Sequence, residues 1–292
     1  MIKNYLELND NEKQTLLEFL NRNNIDELSP ERLMPEEMDR KFIREEFDFG
    51  RGVLARVQDD KIVAAASVVL KECKIKGVSY ITKPELKESL ADKPAILAEI
   101  IDKARKLAEE YGALKIFLGT RDNELVKILR DMDVENQYCA IKMTLKDRNI
   151  KYPLLKLVPI DQKNKKQYLD IYNDGFRNVP NGSTLTEAEV EEHLANADEN
   201  NSWYIAETND KRIGFLQFNI KAGSGEFDLG LIARERGKGY GKLLLETAIG
   251  FLNDRGVKEI SLTVITKNER AYNMYIKRGF SEIELLSRWY QL

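Results

Sequence analysis

Between Phe227 and Phe251 the chain runs from an apolar stretch, Phe227-Asp-Leu-Gly-Leu-Ile232, through Arg236-Gly-Lys-Gly-Tyr-Gly241, into an amphipathic segment opening near Lys242. The order predicted is strand, glycine-rich basic turn, helix. Three glycines at alternate positions remove Cβ atoms where a ligand approaches the backbone or where the chain needs positive φ. The helix that follows turns its unsatisfied N–H groups and its positive dipole end back toward the turn. With Arg236, Lys238 and Lys242 adding fixed charge, such a unit is a cradle for a phosphate-like anion. A plain tight connection would use similar residues, so the turn alone leaves both readings open. Two known loops are excluded. Leu243 follows Lys242 where a nucleotide-hydrolase loop carries Ser or Thr, and the third glycine comes too early for a dinucleotide fingerprint.

Support comes from downstream. Ile260-Ser-Leu-Thr-Val264 alternates as a strand. Thr266-Lys-Asn-Glu269 has the form of a capping box opening a short helix over Asn268–Lys277. Gly279 stands where a helix ends in the left-handed region. With these residues in view, the C-terminal half resembles the GNAT superfamily of acyl-CoA-dependent N-acyltransferases. Arg236, Gly239 and Gly241 match that family's Arg-x-x-Gly-x-Gly loop. Asn268, Ala271, Tyr275, Gly279 and Phe280 match its second motif, one helix and one strand further on.

The resemblance implies acetyl-CoA as co-substrate and no metal. The loop amides of Arg236, Gly237, Lys238, Gly239, Tyr240, Gly241 and Lys242 would hold the pyrophosphate. The pantetheine arm would lie against the strand end at Leu231, Ile232 and Ala233, and a backbone N–H near Leu231 would face the developing oxyanion. Tyr275 falls where the family places the general acid for the departing thiolate, with Tyr272 as its substitute and packing on the strand as the other reading. Asn268 reads equally as a cofactor contact or as a helix cap. Glu226 and Asp228 share one strand face, opposite Phe227, Leu229 and Leu231. They face either an acceptor cleft, as candidate general bases, or solvent.

The chain also repeats itself. Shifted by 144 positions, Ile100, Ile101, Ala104, Leu107 and Ala108 fall on Leu244, Leu245, Ala248, Phe251 and Leu252, each set the buried face of one helix. Gly112 falls on Gly256, and Ile116 and Leu118 on Ile260 and Leu262. Each half opens with helical segments (Asn11–Asn21 and Glu31–Glu45; Gln162–Asn173 and Glu187–Ala197) and continues with strand-like runs. The expected fold class is α/β (α+β): two tandem GNAT-like domains, 1–148 and 149–292, each a mixed central sheet flanked by helices. Under the same shift Arg236 lands on Asp92, Lys238 on Pro94, Gly239 on Ala95, Gly241 on Leu97 and Tyr275 on Asp131. An acid replaces a base and proline removes an N–H. The N-terminal half therefore reads as a degenerate copy without a cofactor loop.

Composition sets outer bounds. A length of 292 residues suits two ordinary domains, and no apolar stretch is long enough to span a membrane. The absence of a signal-peptide pattern at Met1-Ile-Lys-Asn suggests a cytoplasmic chain. Cys73 and Cys139 form no disulfide framework and have no metal-ligand spacing. His193, the single histidine, is expected at the surface of an acidic helix. A net charge of −3 speaks against a nucleic-acid partner. The expected acceptor is a small-molecule or peptide amine, and the chain a monomer or homodimer. Glu187, Glu189, Glu191, Glu192, Asp198 and Glu199 form either an acidic wall favouring a cationic amine or a solvated face. The alternative function is a non-catalytic acyl-CoA-binding regulatory or scaffold protein, which would have no use for a general acid at Tyr275.

Overall fold

The structure is a computed structural model and describes residues 1–23, 32–209 and 211–292. Glu31, the first residue of one expected helical segment, lies outside them. The chain forms two compact units, Met1–Gln137 with Ser287–Leu292, and Tyr138–Leu286.

The first unit begins with β1 (Ile2–Asn4), α1 (Asp10–Asn23) and α2 (Pro35–Phe42), followed by β2 (Val53–Gln58), β3 (Lys61–Val69), α3 (Lys71–Lys76) and β4 (Val78–Leu86). Then come α4 (Lys93–Glu110), β5 (Lys115–Thr120) and α5 (Asn123–Asp131). β1 to β4 are antiparallel neighbours in chain order. β5 joins β4 in parallel, and residues 288–291 pair antiparallel with β5. Ile100, Ile101, Ala104 and Ala108 of α4 are buried against Leu54, Ile81 and Leu118 on one sheet face. α1 and α2 cover Val53, Ala55 and Ala65 on the other. Each such buried Leu or Ile contributes about 1.5–3 kcal/mol. The helix starts are fixed by short polar side chains: Asp92 accepts from the Ala95 N–H at 3.1 Å, and Asp122 from the Glu124 N–H at 2.7 Å.

The second unit takes in most of β6 (Asn136–Leu145), then β7 (Lys156–Pro159), α6 (Lys165–Phe176), α7 (Glu187–Ala195), β8 (Asn201–Thr208), β9 (Lys211–Lys221) and β10 (Ser224–Leu231). It continues with α8 (Tyr240–Asp254), β11 (Glu259–Ile265), α9 (Glu269–Arg278) and β12 (Phe280–Gln291), whose last residues belong to the first unit. From β6 the strand order is β6-β11-β10-β9-β8-β7. α8 and α9 pack on the sheet face carrying Leu216, Phe218, Phe227, Ile260 and Leu262. α6 and α7 cover the opposite face around Phe215 and Ile205.

The repeat appears as geometry. α4 and α8 end at Glu110 and Asp254, β5 and β11 start at Lys115 and Glu259, and β6 and β12 start at Asn136 and Phe280, each pair 144 residues apart. One relation departs from a simple tandem arrangement. β6 is the last strand of the N-terminal half in sequence, yet it pairs with β11, Ile260 opposite Leu145 and Val264 opposite Ile141. The end of β12 pairs with β5, Trp289 opposite Gly119 and Tyr290 opposite Leu118. The indole of Trp289 fills the space a Cβ at Gly119 would need, at 2.7 Å. Each half thus lends its last strand to the other half's sheet, and residues 138–148 lie in the second unit rather than the first.

Candidate functional site

The site is built where β10 and β11 part. Their parallel register holds for Ser224↔Glu259, Gly225↔Ile260 and Glu226↔Ser261 and goes no further, although β10 runs on to Leu231 and β11 to Ile265. β9 follows β10 throughout, Leu231 lying opposite Gly214, so β10 stays extended along the opening.

The glycine turn closes the mouth of this wedge. Gly237 and Gly239 have φ of 84° and 87°, the region in which a Cβ meets the backbone. Nothing stands within 4 Å of a Cβ built on Gly239, and only the Arg270 guanidinium, at 4.0 Å, near one on Gly237. Gly241 serves a different purpose: its φ is not positive, and a Cβ there would meet Met274 Sδ of α9 at 3.2 Å. Gly239 is the N-cap of α8 and, having no side chain, leaves the first N–H groups of the helix uncapped toward the turn. α4 of the first unit differs at this point, because Asp92 supplies its own carboxylate to the helix start. Positive φ is also absent there, at every residue between Lys83 and Gly112.

The basic side chains do not point where the sequence suggests. Arg236 turns inward: Nε donates to Leu231 O at 3.2 Å, and Nη2 to Gly175 O at 2.6 Å and Asp174 O at 3.5 Å, tying the turn to the end of α6. Asp174 Oδ2 accepts from the Ala233 N–H at 2.6 Å, and the Ile232 N–H donates to Ile213 O at 3.1 Å. Lys238 pairs with Glu235 at 3.1 Å; Glu235, 1% exposed, also holds Lys211 at 2.5 Å. Those ammonium groups hold the Glu235 carboxyl below its ordinary range, Lys211 foremost. Lys242 Nζ lies 5.6 Å from the centre of the Tyr152 ring. Tyr240 is half-buried against the α8 core. The turn therefore presents uncapped backbone N–H groups, with the Arg236 and Lys238 side chains engaged by protein partners. Asp174, Gly175 and Glu235 are the partners that sequence reading missed.

Asn268 caps α9, accepting from the Ala271 N–H at 3.4 Å. The capping box expected from Thr266 does not form; its hydroxyl accepts from the Cys139 N–H of β6 at 2.9 Å instead. Tyr275 is 6% exposed, and its hydroxyl makes no hydrogen bond among the described residues. Burial raises its pKa, and the charge of Asp228 adds to the effect. Tyr272 is half-buried against the core, its hydroxyl donating to Glu282.

Asp228 sits on the strand face opposite Phe227. Its carboxyl receives the Leu229 N–H at 2.8 Å and the Gln217 amide at 3.5 Å. Burial pushes its pKa up to about 7, the Leu229 N–H opposing and the Glu226 charge adding. Glu226, on the same face, accepts from Thr263 of β11 at 3.1 Å. Asp228 and Tyr275 thus come within electrostatic reach of each other, although they lie 47 positions apart in the chain.

Other expectations resolve into packing. His193 is half-buried, stacked on Trp203 at 4.6 Å, and burial lowers its pKa. Phe218 lies in the core, stacked on Phe251 at 4.0 Å, with Tyr204 against both rings. In the acidic segment Glu189 completes the α7 capping box with Thr186 and Glu191 pairs with Lys165, leaving Val190 as the buried residue of the helix. No cluster of three or more His, Cys, Asp or Glu among the described residues could hold a metal ion. None of the helices described is long and apolar enough to cross a membrane.

Residues 166–280 match the model of the acetyltransferase (GNAT) family. That match covers about two fifths of the chain, from α6 to the start of β12. The chain's fold is similar to that of a GCN5-related N-acetyltransferase from Sphaerobacter thermophilus, with 14% identity over 97% of this chain and 92% of that one and a TM-score of 0.63. A GCN5-related N-acetyltransferase from Kribbella flavida gives 13% identity over 100% and 70%, with a TM-score of 0.62. A tandem GNAT protein from the clavulanic acid biosynthesis pathway gives 9% identity over 100% and 98%, with a TM-score of 0.61. Curated proteins return no match by sequence. Two tandem GNAT-like folds, each a mixed sheet flanked by helices, account for the whole chain.

Proposed function

We propose that the second unit transfers the acetyl group of acetyl-CoA to the primary amine of a small molecule or peptide by direct attack in a ternary complex. The observation that supports this most is the pairing of a raised carboxyl, Asp228, with a buried hydroxyl, Tyr275, beside the parting of β10 and β11. A proton acceptor poised near neutrality and a proton donor that keeps its proton at all working pH values are the two groups such a transfer needs. A protein that only bound acyl-CoA would need neither.

The residues fit the cofactor. Uncapped α8 N–H groups and the open Cβ positions at Gly237 and Gly239 suit a pyrophosphate. Because the Ile232 and Ala233 amides are already used, strand-like pairing with pantetheine falls on Phe227–Leu231, facing the gap. Bound there, acetyl-CoA supplies an activated thioester. Asp228 takes a proton from the ammonium form of the acceptor, freeing the nucleophilic amine. A β10 N–H near Leu231 faces the carbonyl oxygen as negative charge grows on it. Tyr275 gives its proton to the departing sulfur as the attacking nitrogen loses its second proton to solvent, from which Tyr275 is reprotonated. Glu226, held by Thr263, keeps a second negative charge on the acceptor side, favouring a cationic amine. Asp92 leaves no such seat in the first unit, whose role in this reading is structural.

Calorimetric titration of the whole chain with acetyl-CoA and with CoA tests the premise. One site per chain, lost in Gly239→Val, is expected. Two sites, or binding indifferent to that substitution, refutes the assignment of the loop.

A further inference from the structure

Tyr168 of α6 is fully buried, at 0% exposure, and its hydroxyl has no hydrogen-bond partner among the described residues. Phenylalanine would pack as well in that place, while an unpartnered buried hydroxyl costs about 1–3 kcal/mol. The ring is held by Phe215 and Tyr172, each with its centre 6.1 Å away, so the hydroxyl has a fixed direction. Phe215 is the register partner of Gly230, and Gln217 that of Asp228. Tyr168 therefore lies over the strand face that carries the Asp228 carboxyl. The charge of Asp228 is felt at Tyr168, as it is at Tyr275 from the α9 side.

The groups around Asp228 can be named element by element. Its own strand offers Glu226 and the Leu229 N–H, and β9 offers Gln217. α6 offers Tyr168 and, beyond it, Tyr172, whose hydroxyl lies 3.4 Å from Ser183 Oγ. α9 offers Tyr275, and Thr263 of β11 is turned to Glu226. No ion pair joins a Lys, Arg or His to Asp228 among the described residues. Stabilisation of its charged form thus falls to neutral donors: Tyr275 from the α9 side, and Tyr168 from α6, whose hydroxyl is the fully buried one without a partner among the described residues.

Resting on the reading of Asp228 as the base, we propose that Tyr168 is a positioning residue for it. The Tyr168 hydroxyl donates to the carboxylate once Asp228 has ionised, holding it on the α6 face and easing its loss of the proton. Tyr275 is then left to serve the leaving group, and the two tyrosines divide donation to the base from donation to the sulfur.

The test needs no acceptor. The full chain is labelled with 13C-aspartate, the Asp228 carboxyl resonance is assigned with Asp228→Asn, and its titration is followed in wild type and in Tyr168→Phe. A midpoint raised by about one pH unit in Tyr168→Phe is expected, the loss of one hydrogen bond to a charged group. A midpoint near neutrality that does not move overturns the role of Tyr168 and leaves Asp228 as the base. A wild-type midpoint in the ordinary carboxylate range overturns both. A second readout guards against a disturbed fold: the stability of Tyr168→Phe relative to wild type is expected to be lower at pH 8 than at pH 5, and the same at both in an Asp228→Asn background. An equal change at both pH values in the wild-type background refutes the proposal.

Discussion

Replacing Asp228 by asparagine is expected to stabilise the protein above neutral pH while abolishing turnover. Burial raises the Asp228 carboxyl from 3.8 to about 7, so the folded chain holds a proton that the unfolded chain has already released. Between these values the native state binds more protons, and stability falls as pH rises, levelling off above 7. Three pH units correspond to about 4 kcal/mol at full ionisation. Solvent reaching the half-buried side chain screens part of this, leaving about 2 kcal/mol. Asparagine keeps the shape and the acceptor for the Leu229 N–H without the charge. Urea denaturation at pH 5 and pH 8, followed by circular dichroism, should show the variant gaining about 2 kcal/mol on wild type between the two conditions. An equal difference at both pH values would mean that the carboxyl is not held protonated, and the case for Asp228 as a base would fall with it.

Tyr275→Phe should lower kcat about 100-fold or more, with CoA affinity by calorimetry within a few-fold of wild type; unchanged turnover would remove the acid assignment. Gly241→Ala should leave stability within about 1 kcal/mol, because helix propensity offsets a contact with a flexible methionine, while Gly239→Ala should cost about 1–2 kcal/mol through its φ of 87°. Denaturation of the two variants side by side checks the order. Arg278→Met should cost about 3–5 kcal/mol, since it strands Glu246, 1% exposed, and frees the carbonyls of Asp147 and Asn149. A loss below about 1 kcal/mol would show that the segment around Asp147 and Asn149 is held by other contacts.

Much of this was legible in the residues. The glycine spacing announced the positive-φ turn at Gly237 and Gly239, and the apolar period announced α4 and α8 with their offset, because both signals are local. The alternation of Glu226 and Asp228 against Phe227 was equally plain. What could not be read depends on partners without a signature. Arg236 looked like a phosphate ligand, but its acceptors are the carbonyls of Leu231, Asp174 and Gly175, which any residue supplies. Tyr168 stood among ordinary helix residues, and only the fold brings it to Asp228. The exchange of strands was hidden by the repeat itself: β6 and β12 occupy the same place in the two halves, so either sheet could in principle accept either strand.

That exchange makes the molecule hard to divide. A nick near Lys151 would produce two pieces, each carrying an edge that the other requires: Ala140–Leu145 for β11, and Arg288–Gln291 for β5. Neither piece alone is a finished domain, whereas the two supplied together have the means to complement. The N-terminal half cannot then be discarded without removing Ala140–Leu145 from beside β11. Retention of that half then has a purely mechanical reason, whatever chemistry either half performs.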